Sequence, residues 1–270
     1  QKKAWEIKKI EIFLEKLKDD KILNFENNNN LFYMVRNKEL YDALNNHLIK
    51  SKYLKKIKIK NDFFYQDLLK KNNYDLIINC DSNNFLTNKY FFKRIKKDYH
   101  NFAYTTILKH KKLNNKTAIQ IFTKYGPIAF LPISDFETSV VYSIDVRDKK
   151  FSSEDVLNLI KKYNPKFDVK TFSKLEYLKL KSSNLRNYHY KNILAFGDLL
   201  HKIHPLAGQG FNMTIRDIKI LSKIIQNRIN LGLQLDSLIC EEFEKKTKHT
   251  NFIFSSGVNF IYEFFNFDKN

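Results

Sequence analysis

The chain has 270 residues, 43% of them hydrophobic and 15% aromatic, and a formal net charge of +19. This content predicts a globular protein rather than a disordered one, and the length allows one large domain or two smaller ones. The positive charge indicates either an anionic partner, such as nucleic acid or a membrane, or a general bias of the composition towards lysine. Because the lysines are spread along the chain instead of clustered on one element, we favour the bias and expect no nucleic-acid partner.

Two cysteines, Cys80 and Cys240, lie far apart in the sequence and show no metal-ligand spacing. They indicate a reducing compartment without a disulfide framework or a zinc site. No run approaches the roughly 18 apolar residues of a membrane-spanning helix, and no signal peptide is visible at the first residues. We therefore expect a cytoplasmic protein. Because the chain does not begin with methionine, we also expect a fragment or a processed form.

Short apolar runs, some of them alternating with polar residues, predict strands along much of the chain. The predicted strands cover, in order, residues 7–13, 21–25, 74–79, 118–123, 128–131, 139–144 and 173–180. The three strands near residue 130 are separated by Gly126-Pro127 and by a second turn-like segment at 132–135. These three strands are therefore expected to form an antiparallel meander.

Apolar residues at steps of three and four predict helices at 38–49, 153–163, 211–229 and 236–249. The apolar face of the first helix carries Leu40, Ala43, Leu44 and Leu48. The second helix is expected to begin at a serine cap, Ser152 or Ser153. The third is expected to pack through Phe211, Ile215, Ile218, Leu221, Ile225 and Ile229. An aromatic segment at 252–267 follows the fourth helix and is interpreted as a helical tail.

The most informative segment lies between a predicted strand and the third helix. It reads Gly197-Asp198-Leu199-Leu200-His201-Lys202-Ile203-His204-Pro205-Leu206-Ala207-Gly208-Gln209-Gly210 and holds three of the six glycines. A strand, a glycine-rich turn and a helix start are typical of a site for a phosphorylated cofactor. Glycines let the backbone approach closely, and free N–H groups at the helix start face an anion. Asp198 can accept hydrogen bonds from sugar-type hydroxyls.

With Asn212 and Asp217, this segment closely resembles the flavin-pyrophosphate signature of the FAD-dependent aromatic hydroxylases, and within them the ubiquinone-biosynthesis hydroxylases. Two other stretches resemble the same family in the same order. They are Tyr33-Met34-Val35-x-Asn37-Lys38-x-Leu40, where the family usually has Arg in place of Lys38, and Phe122-Thr123-x-x-Gly126-Pro127-x-Ala129-x-Leu131-Pro132. The resemblance covers nearly all of the chain, which is identified as a member of this flavoprotein monooxygenase family.

The resemblance implies an α/β (α+β) fold. A Rossmann-like FAD-binding domain, incomplete here, would be interrupted by an antiparallel-sheet substrate domain and followed by C-terminal helices. The FAD-binding domain would comprise residues 30–100 and 185–250, and the substrate domain 1–29 and 101–184. The remaining residues, 251–270, would form the aromatic helical tail.

The site residues follow from the same resemblance. The cofactor-binding set is Gly197, Asp198, Ala207, Gly208, Gln209, Gly210, Asn212 and Asp81. Asp198 would bind the ribityl chain of FAD, Asp81 would assist at the phosphate side, and the N–H groups at Gly208 to Gly210 would favour the pyrophosphate and one flavin edge. The catalytic set is Pro205, whose backbone would lie at the reactive edge of the flavin, and His204.

Simpler roles remain open for some of these residues. Asp198 could be only a helix cap. His201 and His204 could be rings that are packed and hydrogen-bonded in the turn, with proton transfer as the other possibility. We expect no metal at these two histidines, because no carboxylate or cysteine nearby completes a site.

Two departures from the family pattern affect the expected binding. The family opens with a strand–Gly-x-Gly-x-x-Gly–helix unit that cradles the ADP half of FAD, and nothing in this chain matches that unit. The chain by itself is therefore expected to bind FAD poorly. In the turn after residue 80 the family has Asp-Gly, and this chain has Asp81-Ser82. A serine fits there only if the turn does not need a positive φ.

The resemblance implies a monooxygenase that uses FAD, reduced by NAD(P)H, to hydroxylate an aromatic ring through a flavin hydroperoxide. The implied substrate is a polyprenylated ubiquinone precursor, and Ile128, Phe130 and Tyr142 would either line its apolar site or belong to the sheet core. Because such a substrate lives in the bilayer, the basic surface and aromatic tail suggest peripheral contact with the inner membrane; the alternative is a tail packed on the domain. The alternative function is a non-catalytic partner of other proteins in a quinone-biosynthesis assembly.

Overall fold

The structure is a computed structural model that describes residues 4–15, 21–59, 61–71, 74–147, 149–203 and 208–264. Within these ranges the strands are β1 (Ala4–Ile7), β2 (Lys9–Leu14), β3 (Lys21–Glu26), β4 (Phe32–Val35), β5 (Ile77–Asn79), β6 (Arg94–His110), β7 (Thr117–Thr123), β8 (Gly126–Pro132), β9 (Glu137–Asp145), β10 (Val169–Phe172), β11 (Glu176–Leu185), β12 (His189–Tyr190), β13 (Ile193–Ala195) and β14 (His201–Lys202). The helices are α1 (Asn37–Ile49), α2 (Phe63–Lys71), α3 (Phe85–Tyr90), α4 (Ser153–Lys162), α5 (Gln209–Asn230) and α6 (Leu238–Phe264). This mixture of sheets and helices agrees with the predicted α/β class.

The chain divides into two compact units. The first is built from residues 1–56 and 100–180, and the second from 57–99 and 181–268. Each unit thus combines two separate stretches of the chain, and the division falls inside β6 and β11. The sequence analysis assigned residues 30–100 to the FAD-binding domain, whereas residues 30–56 lie in the first unit. The functional division into a cofactor domain and a substrate domain stays a prediction.

The first unit contains a sheet with the strand order β6-β9-β8-β7-β2-β3, and β10 also pairs with β6. The strand β8 pairs antiparallel with both β7 and β9, with Ile128 opposite Ile121 on one side and Tyr142 on the other. The predicted meander is therefore confirmed. A hairpin of β2 and β3 extends the sheet, because β2 pairs in parallel with β7.

Gly126 at the start of β8 is required by its surroundings. Its φ is +133°, and a Cβ atom at this position would lie 2.0 Å from the backbone oxygen of Ser143. Any other residue would have to move β8 away from β9. The turn that the sequence marks with Gly126-Pro127 is thus a place of close backbone approach.

One face of this sheet packs against α4. Ile128, Phe130 and Tyr142 are fully buried and contact a cluster that includes Val156 and Ile160 of the helix. Burial of each such side chain contributes about 1.5–3 kcal/mol. These three residues belong to the sheet core, which is the second of the two roles that the sequence left open.

The first turn of α4 is held by a capping box. Ser152 Oγ accepts a hydrogen bond from the Asp155 N–H, and the Asp155 side chain accepts one from the Ser152 N–H. Ser152 is therefore the cap of the two serines that the sequence proposed.

The helix predicted at 38–49 is present as α1, but it buries none of its 13 residues. Leu44 and Leu48, which the sequence placed on a packing face, are 57% and 47% exposed. The amphipathic pattern thus predicted the helix correctly, and the expectation of a buried face is not met within the described residues.

The second unit has a small sheet with the order β12-β13-β5, surrounded by helices. The pair β13–β5 is parallel and β12–β13 is antiparallel. The core combines β13, the segment after it and the helices, with Leu194, Phe196, Leu221, Ile224 and Phe243 among its buried residues. The predicted helix at 236–249 and the helical tail form one continuous helix, α6, as far as Phe264.

The helix α5 is confirmed, but the face that it buries was predicted wrongly. Its buried residues are Met213, Asp217, Leu221 and Ile224. Most of the residues expected to pack, namely Phe211, Ile215, Ile218 and Ile229, are exposed. The reason is that a carboxylate, Asp217, occupies a core position, so that a count of apolar residues alone selects another face.

Candidate functional site

The candidate site lies at one edge of the small sheet in the second unit. Strands β5 and β13 are parallel, with Ile77 opposite Ile193 and Asn79 opposite Ala195. The Phe196 N–H continues this ladder by donating to the Asn79 oxygen at 2.9 Å. Because parallel strands end at the same edge, the two turns that follow them come together there. Ligands of open α/β sheets bind at such carboxyl ends.

The turn after β5 is fixed by a polar cluster. Asn79 is buried and donates to Thr87 Oγ1 at 2.8 Å, while the Asn84 amide donates to Asn79 Oδ1 at 2.7 Å. Asn84 Oδ1 also accepts from the Thr87 N–H at 2.9 Å, which caps α3. The sequence analysis did not single out these three residues. An Asn-rich turn before a short helix is the signal that would have indicated them.

Asp81 lies in this turn with an exposed side chain. Its Oδ1 accepts a hydrogen bond from the Asn83 N–H at 2.8 Å, and its other carboxylate oxygen accepts none from the described residues. The neighbouring Ser82 does not have a positive φ, since the residues other than glycine with positive φ in the described ranges are His100 and Lys191. Serine is therefore compatible with this turn, and the departure from the family glycine causes no strain.

The turn after β13 carries Gly197 and Asp198 in a one-turn 3-10 helix, Gly197–Leu199. Gly197 has a φ of +62°, and a Cβ atom there would meet no atom within 4 Å. Phe196, and not Asp198, is the cap residue of this turn. Asp198 is exposed and its carboxylate accepts no hydrogen bond from the described residues. The capping alternative is therefore not realised, and the carboxylate is available to a ligand.

The helix α5 contacts this same turn. Its cap residue, Gly208, has a φ of +66° with no atom within 4 Å of the place where a Cβ would lie, and as a glycine it has no side chain that could cap the helix. A 22-residue helix carries the N–H groups of its first turn and the positive end of its dipole at its start, an arrangement that favours an anion there. Gln209 and Asn212 lie in this first turn, where the Asn212 amide donates to Gln209 Oε1 at 3.4 Å.

Three of the predicted site residues, His204, Pro205 and Ala207, lie outside the described residues. The residues on either side of the segment 204–207 are described, and those before it contact those after it. Ile203 packs against Met213 of α5, and a Cβ atom at Gly210 would lie 3.8 Å from Ile203 Cγ1. The segment 204–207 thus connects β14 to the start of α5.

A buried polar network joins β14 to both long helices. His201 Nε2 lies 2.7 Å from Asp217 Oδ2, and the Asn251 amide donates to Asp217 Oδ2 at 3.3 Å. The guanidinium of Arg216 donates to Asn251 Oδ1. His201 is therefore a packed, hydrogen-bonded ring whose Nδ1 atom has no partner among the described residues. Sequence analysis gave no signal for Asn251.

Tyr188 adjoins this network. Burial raises the pKa of its hydroxyl to about 12, although a hydrogen bond with Asn251 acts in the opposite direction. The tyrosine stays neutral at physiological pH. Among the residues that the structure describes, no group of three His, Cys, Asp or Glu side chains could hold a metal ion.

These features fit the ribityl and pyrophosphate parts of FAD. An exposed carboxylate without a protein partner suits the ribityl hydroxyls, and the uncapped helix start with Gly208 suits the pyrophosphate. The empty space around Gly197 and Gly208 leaves room for the close approach of a ligand.

Comparison with known proteins supports this assignment. A family model described as "FAD binding domain" matches residues 84–231, more than half of the chain. The 3-demethoxyubiquinol 3-hydroxylase of Escherichia coli K12 is 30% identical over 156 residues, which cover 53% of this chain and 38% of that protein. The mitochondrial ubiquinone biosynthesis monooxygenase COQ6 of Dictyostelium discoideum is 24% identical over 187 residues, 55% of this chain and 38% of that protein. The chain thus spans well under half the length of these relatives.

Solved structures show the same fold. PqsL of Pseudomonas aeruginosa, in a complex with 2-aminobenzoylacetate, superposes with a TM-score of 0.71 over 95% of this chain and 77% of PqsL, at 12% identity. The flavin-dependent brominase Bmp2 gives a TM-score of 0.70 over 98% of this chain and 73% of Bmp2, at 9% identity. The predicted fold class is confirmed. From the family match over more than half of its length, the chain belongs to the FAD-binding domain family.

Proposed function

We propose that this chain is part of an FAD-dependent monooxygenase that hydroxylates an aromatic ring, with a polyprenylated ubiquinone precursor as its substrate. The observation that carries the proposal is the exposed Asp198 carboxylate, which follows β13 in a turn that α5 contacts. The names of the relatives in E. coli and D. discoideum support the substrate class.

In this proposal the residues of the chain bind and orient the cofactor. Asp198 accepts hydrogen bonds from the ribityl hydroxyls, and the N–H groups of Gln209 and Gly210 donate to the pyrophosphate. Asp81 acts from the neighbouring strand end at the phosphate side, where its free oxygen accepts a hydrogen bond. Gly197 and Gly208 keep the approach open, since both have positive φ and no neighbour where a side chain would be.

The oxidative chemistry belongs to FAD, which supplies electron transfer and oxygen activation when it is bound and reduced by NAD(P)H. The role of the protein is to position the ring and to exclude water. Pro205 and His204 are proposed to lie at the reactive edge, with Pro205 presenting its backbone and His204 holding or moving a proton. The bond between His201 and Asp217 anchors the strand that leads into this segment.

A product assay tests the proposed function. The purified chain is incubated with FAD, NADH or NADPH, O₂ and a prenylated phenol, and mass spectrometry looks for a product heavier by one oxygen atom. The proposal predicts such a product, lost in Asp198→Ala and kept in Asp168→Ala, a variant at an exposed carboxylate of the first unit. Bound flavin without any product would instead favour the non-catalytic partner.

A further inference from the structure

A cavity of about 880 Å³ is lined by one face of α6 and by residues 184–189. Within the described part of the chain, no helix, α6 included, is apolar over a length that would cross a membrane. The α6 wall of the cavity carries Glu241, Lys245, His249 and Phe252 at steps of three and four, and so extends about 16 Å along the helix axis. The described lining residues all belong to the second unit, and none of them is proposed to bind FAD. The volume is that of a site for a small organic molecule.

The charges of the lining leave one positive charge in excess. Arg186, Lys245 and Lys248 are the cations, and Glu241 and Glu244 are the carboxylates. With the two histidines of the lining neutral, three cations against two carboxylates give a net charge of +1. A carboxylate matches this charge, whereas a phosphate monoester carries close to two negative charges at neutral pH.

One of the two carboxylates is already bound within the unit. The Lys248 ammonium donates to Glu244 Oε1 at 2.6 Å, and the Tyr188 N–H donates to Glu244 Oε2 at 2.9 Å. Arg186 and Lys245 are exposed, and neither side chain makes a hydrogen bond or an ion pair with a described residue. The guanidinium of Arg186 therefore offers a planar fork of N–H donors, which fits a carboxylate through two parallel hydrogen bonds.

The apolar part of the lining suits a flat hydrocarbon body. Leu185 and Tyr188 are its buried members, and Ile95 and Phe252 are about half exposed. Aromatic ligands pack on such side chains with their rings offset or edge to face. Because a single benzene ring would fill only a small part of about 880 Å³, the lining favours a body of two or more rings.

We propose that this cavity binds an aromatic monocarboxylate with two or more rings. Arg186 and Lys245 bind its carboxylate, and its rings lie against Ile95 and Phe252. The site is separate from the residues assigned to FAD, and the inference does not rest on the proposed function. Glu241 is the one carboxylate of the lining without a partner among the described residues, and it disfavours a second negative charge on the ligand.

Isothermal titration calorimetry of the full chain with 2-naphthoate tests this proposal. We expect saturable binding, about fivefold tighter than that of benzoate, because the second ring adds apolar area. Binding should also be about tenfold tighter than that of 2-naphthamide, which has the same rings without the charge. The dianion 2-naphthyl phosphate should bind more weakly than 2-naphthoate.

Variants of the lining assign the binding to this cavity. Arg186→Gln should weaken the affinity for 2-naphthoate about tenfold, since it removes a charged donor of hydrogen bonds to the carboxylate. Lys245→Gln should weaken it severalfold, and Glu241→Gln, which removes a negative charge from the lining, should strengthen it. All three side chains are exposed, so the fold is expected to persist, and thermal unfolding of each variant checks this.

The matched control is Lys223→Gln, at an exposed lysine of α5 that does not line the cavity, and it should bind like the unmodified chain. Asp198→Ala, at the proposed flavin site, should also leave the affinity for 2-naphthoate unchanged. The proposal is overturned if 2-naphthoate does not bind, or if Arg186→Gln and Lys223→Gln bind it equally well. It is also overturned if Asp198→Ala abolishes the binding, since the ligand would then occupy the flavin site, or if 2-naphthyl phosphate binds more tightly than 2-naphthoate.

Discussion

His201 Nε2 and Asp217 Oδ2 lie 2.7 Å apart in the interior of the second unit, and this contact ties β14 to α5. The strand ends just before the residues 204–207, and the helix begins just after them at Gly208–Gln209. The pair therefore fixes both ends of the segment that is proposed to face the flavin. Since Asn251 also donates to Asp217, the three elements β14, α5 and α6 share one polar centre.

Replacing Asp217 tests the strength of this centre. Asp217→Ala leaves His201 and Asn251 without their common acceptor in a buried place, and should lower the free energy of unfolding by about 3 kcal/mol. Asp217→Asn keeps a side chain of the same shape with one acceptor oxygen and should cost less. Urea unfolding followed by circular dichroism measures both. Asp168→Ala, at an exposed carboxylate paired with Lys111, serves as the control and should show no resolvable change.

Replacement by alanine should have different effects on thermal stability at the two glycines at the start of α5. Gly208 has a φ of +66°, so Gly208→Ala introduces a strain of about 1–2 kcal/mol. Gly210 lies inside the helix without a positive φ, and its nearest neighbour leaves room for a methyl group. Gly210→Ala should therefore leave the midpoint of thermal unfolding unchanged or raise it, and Gly208→Ala should lower it by about 2–8 °C. Equal midpoints for the two variants would contradict the conformations described at these positions.

The cap of α4 offers a test in the first unit. Ser152→Ala removes the hydrogen bond to the Asp155 N–H and should lower the free energy of unfolding by about 1 kcal/mol. Ser153→Ala replaces the neighbouring serine, which lies inside the helix and makes no capping bond, and is the matched control. Chemical unfolding distinguishes them, and a larger loss for Ser153→Ala would show that the cap is assigned to the wrong serine.

At acidic pH, protonation of Glu15 should lower the free energy of unfolding of the first unit. Burial raises the pKa of this carboxyl, but hydrogen bonds from the Tyr163 hydroxyl and the Lys124 N–H, together with Lys162, outweigh it and hold the pKa below its ordinary value. A lowered pKa in the folded state gives stability that is complete above about pH 4.3, the value for an unfolded Glu, and is lost as the pH falls further.

The variant Tyr163→Phe should reduce that loss, because it removes one of the hydrogen bonds that lower the pKa of Glu15. Unfolding free energies measured between neutral pH and about pH 3 would show a shallower decline in this variant than in the unmodified chain. Tyr177→Phe, at an exposed tyrosine of the same unit, should decline like the unmodified chain. An identical decline in all three proteins would rule out this role of Glu15.

The sequence predicted the elements best where apolar residues recur with a regular period. The meander β7–β9 and the helices α1, α4 and α5 follow apolar periodicity, and all are present. The 17-residue strand β6 was not predicted, because its buried positions include the polar residues Asn101, Thr106 and His110, which obscure the alternation. For the same reason, the sequence analysis selected the wrong buried face of α5, which contains Asp217. Buried polar groups with partners far away in sequence cannot be recognised from periodicity alone.

The candidate site was recognisable from its motif. The structure adds strand pairing, backbone conformation and side-chain contacts, which a motif does not contain. The sequence named Asp81 and Asp198 separately, and the parallel pair β5–β13 explains why their turns meet at one edge. That Asp198 does not cap a helix, and that Ser82 needs no positive φ, depend on backbone conformation. Asn79, Asn84 and Thr87 hold the neighbouring turn through contacts between short polar side chains, which leave little trace in a pattern of hydrophobicity.

An equilibrium titration of flavin fluorescence with the purified chain tests the central claim most directly. The account predicts saturable but weak binding of FAD, because it assigns residues of the chain to the ribityl and pyrophosphate parts, while the sequence contains no Gly-x-Gly-x-x-Gly cradle. Asp198→Ala should weaken the binding at least fivefold, whereas Asp168→Ala should leave it unchanged. Tight, stoichiometric FAD in the purified chain, or binding that Asp198→Ala does not alter, would contradict the assignment of this site.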